Sequence, residues 1–160
     1  MARRLKVIVV EDDPILCEAF ASTLEKDPLI KTAQAHTLVD AVHLCQMEPQ
    51  VVLLLDLSVP GVKDVEIVET LRKETPGAII IVVTGHEKLA DAAMQAGASK
   101  VIIKGSNESW GPGLIKAFRD TVTAREVELL FAPTRDILEK QKKTLTSVTP
   151  SIQHLVNNQK

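Results

Sequence analysis

Unbroken aliphatic runs alternate with segments of helical period along most of this chain. Val7–Val10, Val51–Leu55 and Ala78–Val83 contain no polar residue. Runs of that length, without alternation, suit strands covered on both faces in the middle of a parallel sheet. Leu5–Val10 is therefore the first predicted strand. Asp13 and Pro14 follow as N-cap and first helical position, and Ile15, Leu16, Ala19, Phe20, Thr23 and Leu24 keep helical spacing to about Lys26. Asp27-Pro28 stops that helix. Leu29–Ala35 is more polar, as an edge strand would be.

Thr37 caps a second helix carrying Leu38, Ala41, Val42 and Cys45, with Pro49 as its predicted end. A third strand ends on Asp56, and a helix follows over Val65–Lys73 until Pro76-Gly77. The fourth strand ends on Thr84-Gly85, and Leu89, Ala92, Ala93 and Ala96 mark a short helix closed by Gly97. Lys100–Ile103 is the fifth strand, leading through Lys104-Gly105 to a helix that begins near Gly113 with Leu114, Ile115, Phe118 and Val122. Five βα units predict an α/β fold with a doubly wound five-stranded parallel sheet, flavodoxin-like, in the order 2-1-3-4-5. Ligands of such sheets bind outside the carboxyl ends of the strands, here between strands one and three. The organisation expected is one domain over 1–122 and a C-terminal helical extension over 123–160.

Composition narrows the class without changing this picture. Aromatic residues make up 2% of the 160 residues and there is no Tyr, so the core must be built from Val, Ile, Leu and Ala. The net charge of -2 argues against wholesale nucleic-acid binding, but it is unevenly spread. Residues 1–110 carry 11 basic and 16 acidic side chains, whereas 111–160 carry 8 and 5. Cys17 and Cys45 fall in apolar helical patterns, which predicts reduced core residues and not a disulfide. The apolar run after Arg3-Arg4 is too short for a signal peptide and no stretch approaches a membrane span. The expectation is a soluble cytoplasmic protein.

Four strands each deliver polar chemistry at the carboxyl end: Glu11-Asp12-Asp13, Asp56, Thr84 and Lys104. Adjacent carboxylates repel, so a fold that gathers them needs a cation or a basic side chain. Asp12 and Asp56, with a backbone carbonyl and water, offer the hard oxygen ligands that Mg2+ prefers. A carboxylate can also be a nucleophile and form an acyl-phosphate, and Asp56 stands alone where the first acids are clustered like ligands. Lys104 would neutralise phosphate charge, and Thr84 would donate a hydrogen bond to a phosphoryl oxygen. The whole set points to phosphoryl transfer.

Val-Val-Glu11-Asp12-Asp13-Pro14, Leu-Asp56-Leu-Ser-Val-Pro60-Gly, Val-Thr84-Gly85 and Ile-Lys104 together resemble the receiver domain of bacterial two-component response regulators. The separations from Asp12 through Asp56 and Thr84 to Lys104 are 44, 28 and 20 residues, and the resemblance runs over about residues 5–122. It implies that Asp56 accepts a phosphoryl group from the histidine of a partner kinase or phosphotransfer protein, with Thr84 and Lys104 assisting. It also implies that Glu11, Asp12, Asp56 and the Ser58 carbonyl hold Mg2+, leaving Asp13 as the helix cap. The chain would then be no enzyme beyond its own phosphorylation and dephosphorylation. A free-standing phosphatase with an aspartate nucleophile shares the chemistry but has no substrate pocket legible in the sequence.

Three positions depart from the family pattern. Val101 stands where an aromatic residue usually reports the state of the threonine, so the usual aromatic switch cannot operate. Asp64 replaces a common glycine eight residues after Asp56; Asp tolerates left-handed backbone better than most residues. Gly105 replaces a frequent proline. Of the histidines, His86 is the one placed to border the site, while His36, His43 and His154 share no metal spacing and read as surface or boundary residues.

In the tail, Thr123-Ala-Arg-Glu126 makes a capping box, and Leu129, Leu130 and Phe131 follow before Pro133 interrupts. Ile137, Leu138, Gln141 and Leu145 predict another helix ending at Ser147–Pro150, and Ile152, Leu155 and Val156 a last short one. The opening resembles the helix-turn-helix module that follows many receivers, but its interior does not match. Two outputs are therefore expected of the tail: helices that pack on the receiver or pair two protomers, or an incomplete DNA-binding module of a transcription regulator.

Overall fold

A computed structural model describes residues 4–48 and 51–157, without the side chains of 127, 130–132 and 146–157. Arg3, the predicted helix end at Pro49, and the side chains of Leu130, Phe131, Ile152, His154, Leu155 and Val156 lie outside the described part. Five strands, β1 (Leu5–Val10), β2 (Ile30–Ala35), β3 (Val52–Asp56), β4 (Ile79–Thr84) and β5 (Lys100–Ile103), form one sheet in the order β2-β1-β3-β4-β5. Every pairing is parallel, with Val10 opposite Leu55, Asp56 opposite Val83 and Thr84 opposite Ile103. The predicted topology is the observed one.

Helices α1 (Pro14–Leu24), α2 (Leu38–Met47), α3 (Glu66–Glu74), α4 (Ala90–Gln95) and α5 (Gly111–Asn157) alternate with the strands, and a 3-10 turn over Glu87–Leu89 precedes α4. Strand alternation divides the aliphatic residues between two cores. Val7, Val9, Val52, Leu54, Ile79 and Ile81 face Cys17, Phe20, Leu24, Leu114 and Phe118 of α1 and α5. Ile8, Val10, Leu53, Leu55, Ile80 and Val82 face Ala41, Cys45, Ile67, Leu71 and Ala93 of α2, α3 and α4. Full burial of each such side chain is worth about 1.5–3 kcal/mol, so a sheet covered on both sides supplies the stability that the missing aromatics do not. Both cysteines are free and buried.

Local chemistry sets the helix ends. Asp13 caps α1, its Oδ1 accepting from the amides of Ile15 at 2.9 Å and Leu16 at 3.3 Å. Thr37 caps α2 by accepting from the Asp40 amide at 3.1 Å. Gly97 closes α4 with φ 116°, and a Cβ there would stand 2.9 Å from Arg72 Cγ. Arg72 donates to the carbonyls of Gly97, Pro76 and Ala78, tying α3 to the loops around β4. Asp27, buried beyond α1, accepts from Nε of Arg119 in α5 at 2.6 Å.

The tail differs from its expected form. The chain divides into a unit of Met1–Val122 and a unit of Thr123–Lys160, and α5 is helical through Pro133 and Pro150 to Asn157. The three separate tail helices are not found, nor is a cap at Thr123. Proline in a helix interior costs about 3 kcal/mol and deprives the carbonyl four residues earlier of its partner. Beside that carbonyl, Arg135 donates to the Glu128 carbonyl at 3.3 Å and also pairs with the Glu128 carboxylate at 3.8 Å. Flanking residues of high helix propensity carry the helix past the break. The turn that a helix-turn-helix module needs is absent from the described tail.

Candidate functional site

The register carries Glu11 one step beyond Val10 and brings it beside Asp56 at the carboxyl edge of the sheet. Both are buried, at 3% and 5% exposure. Asp56 Oδ1 accepts from the Ser58 amide at 2.8 Å, and its Oδ2 accepts from the Lys104 ammonium in an ion pair. Lys104 follows β5, and its amide donates to the Thr84 carbonyl at 2.9 Å, so the ends of β4 and β5 are joined at the site. Thr84 is 1% exposed, with Oγ1 accepting from the His86 amide at 3.0 Å. Three of the predicted residues, Glu11, Asp56 and Lys104, are thus in direct contact or nearly so. Asp12 is exposed at the same strand end, as is Ser58 in the loop after β3.

Glu11 is the unbalanced member. Its Oε1 accepts from the Asp13 amide at 3.1 Å, but its buried Oε2 has no hydrogen-bond partner and lies 3.9 Å from Lys104 Nζ. Burial first, and the neighbouring Asp56 carboxylate second, push the Glu11 carboxyl up to about 8. Burial also works to raise Asp56, but the neighbouring Glu11 carboxyl, the Lys104 ammonium and the Ser58 amide outweigh it and hold Asp56 below the usual range. One proton shared by two adjacent carboxyls is the expected outcome of their repulsion. Once Glu11 ionises, its buried Oε2 is a carboxylate oxygen without a donor, which is costly, and a divalent cation would satisfy it.

Among the described residues no three His, Cys, Asp or Glu side chains form a ready-made metal cage. Mg2+ prefers hard oxygen ligands and keeps several of its waters. The donor set of Glu11, Asp12, Asp56 and a backbone carbonyl is all oxygen, hard and anionic, and therefore fits.

His36, read from the sequence as a surface or boundary residue, follows β2 and donates from Nδ1 to the Glu11 carbonyl at 2.9 Å. Its position at the end of a strand adjacent to β1 was the available signal. His86 is exposed and contributes its amide, not its ring, to Thr84. Asp64 has φ 46°, a left-handed backbone where glycine was expected, and it is the single non-glycine residue of this kind among the described residues. Val101 pairs with Val82 and packs against the core on the α2–α4 side of the sheet.

A doubly wound sheet with two carboxylates, a threonine and a lysine at one edge defines a phospho-acceptor domain class. The response regulator receiver domain matches residues 7–110, and the chain belongs to that family. It is similar to the response regulator UvrY of Escherichia coli, 30% identical over 105 residues that cover 64% of this chain and 48% of UvrY. It is 35% identical over 98 residues to a protein-glutamate methylesterase/protein-glutamine glutaminase of Bordetella avium, covering 59% of this chain and 29% of that protein. The chain thus spans half or less of these relatives. Among solved structures it resembles a LuxR-family two-component response regulator from Aurantimonas sp., with TM-score 0.68, 25% identity, and coverage of 76% of this chain and 87% of that one. The receiver domain of a Luxo repressor protein from Vibrio parahaemolyticus shares the fold, with TM-score 0.67 and 22% identity over 81% of this chain and 98% of that one. Among the described residues no helix is long and apolar enough to cross a membrane.

Proposed function

We propose that the chain is the phospho-accepting part of a two-component signalling system, with Asp56 as the acceptor and residues 1–122 as the receiver. A sensor histidine kinase or phosphotransfer protein is the donor. The observation that carries the reading is the buried Glu11–Asp56 pair, in which Lys104 is bonded to Asp56 while the Glu11 Oε2, 3.9 Å from the same ammonium, has no hydrogen-bond partner. Asp56, held ionised by its hydrogen bonds, presents its carboxylate as nucleophile. Lys104 neutralises charge on the transferred group, and Thr84, whose Oγ1 accepts from the His86 amide, donates its own hydroxyl hydrogen to a phosphoryl oxygen. Mg2+, held by Glu11, Asp12, Asp56 and the Ser58 carbonyl, would supply charge neutralisation for the phosphoryl oxygens. Catalysis is confined to the chain's own aspartate, in the cytoplasm where such donors work.

The output belongs to the tail. The helix leaves Leu129, Ile137 and Leu138 more than half exposed, which supports pairing of two copies. DNA binding, as in a LuxR-family regulator, would need a turn that the described part of α5 does not contain. The deciding experiment is intact-mass analysis with gel filtration after incubation with Mg2+ and a small acyl-phosphate, beside Asp56→Ala. One added phosphoryl group in the wild type alone is expected. No addition, or addition to both proteins, sinks the reading.

A further inference from the structure

After Lys104 the chain must leave β5, reverse and enter α5 at Gly111. The intervening loop is tied by its own interior. Ser109, 7% exposed, accepts at Oγ from the Gly105 amide at 3.1 Å and donates to the Ser106 carbonyl at 2.7 Å. Its amide donates to the same carbonyl at 3.1 Å, and the Ser106 amide donates to Ile103 at 3.0 Å. We propose that Ser109 is a positioning residue for Lys104, its hydroxyl fixing the loop that decides where the lysine ammonium stands against Asp56.

Three features converge on this role. Gly105 has φ +88°, so the residue directly after Lys104 occupies a backbone region open mainly to glycine, and it needs a partner for its N–H. A proline at this position would have no such hydrogen to give. The Ser109 hydroxyl answers that amide while its own hydrogen is spent on Ser106, so both its functions are used inside the loop. From the helix side, a Cβ at Gly113 would lie 1.8 Å from the Asn107 carbonyl oxygen, so the loop rests directly on the first turn of α5. Trp110 extends the brace to α1, its ring centroid 5.0 Å from that of Phe20. The lysine is thus held at its root, while its ammonium, on a flexible stem, faces the carboxylates of Asp56 and Glu11.

The proposal rests on Asp56 being the acceptor, and the test separates the two ideas. Ser109→Ala, Ser109→Thr and Gly113→Ala would be compared with wild type, Asp56→Ala and Lys104→Ala, using Mg2+ and a small acyl-phosphate. Misplacing a reacting group by about 1 Å can cost up to 100-fold, so about a tenfold slower phosphoryl uptake is expected for Ser109→Ala, with recovery in Ser109→Thr, which keeps the hydroxyl. Gly113→Ala displaces the same loop from the other side and should slow uptake similarly. Lys104 reactivity toward an amine-acetylating reagent, read by peptide mass, needs no phosphorylation. It should rise in Ser109→Ala and Asp56→Ala and stay at the wild-type level in Ser109→Thr. If wild type takes up no phosphoryl group while Lys104 reactivity follows this pattern, the positioning role stands and the acceptor reading fails. Wild-type uptake and Lys104 reactivity in a folded Ser109→Ala overturn the proposal. Loss of uptake in Ser109→Ala and Ser109→Thr alike, without a change at Lys104, overturns it too.

Discussion

At the residue scale, Glu11 couples the site to pH. Its native-state affinity for a proton, set at about 8, exceeds the ordinary 4.5 of a glutamate. Between those values the native chain holds more protons than the unfolded one, so stability falls as pH rises through the window. Asp56 acts oppositely. Its lowered value contributes stability that is present above its ordinary range and lost as acid protonates it. Without divalent cations, the melting temperature should therefore decline from about pH 5 to about pH 8, by an amount worth at most a few kcal/mol. Glu11→Gln should flatten that decline, and thermal unfolding at several pH values checks it. An unchanged slope in Glu11→Gln would remove Glu11 as the cause. The identities of Glu11, Asp56, Thr84 and Lys104 were legible because each ends a strand. His36 and Ser109 were not, because their partners are reached only through strand adjacency and loop closure.

At the scale of elements, the strands could be read almost to the residue, since an aliphatic run buried on two faces has few other places to go. Caps at Asp13 and Thr37 were equally local and equally legible. The tail misled for the same local reason. Pro133, Pro150 and the capping box at Thr123 are stop and start signals, yet a helix already nucleated in α5 continues at the cost of a missing bond. Replacing Pro133 with Ala restores an amide donor to that turn and should stabilise the helix there by about 1–3 kcal/mol. Slower hydrogen exchange of the amides around 133, with unchanged exchange in the sheet, is the expected result. Faster exchange would mean that the proline stabilises the turn.

At the scale of the molecule, both cores are built from residues of 5–122, so the unit ending at Val122 has what it needs to fold alone. A fragment of 1–122 should melt within a few degrees of the full chain and, if the tail pairs two copies, should run as a monomer where the full chain does not. Calorimetry and sedimentation check the two halves of that statement. A fragment that cannot fold would show the helix beyond Val122 to be part of the core's support.

The scarcity of aromatic residues has an optical consequence. With one Trp and no Tyr, tryptophan emission from this protein reports on Trp110 alone. That indole sits half-exposed against Phe20, one residue beyond Ser109 and at the mouth of α5. Light therefore reads the loop behind Lys104 with no label attached.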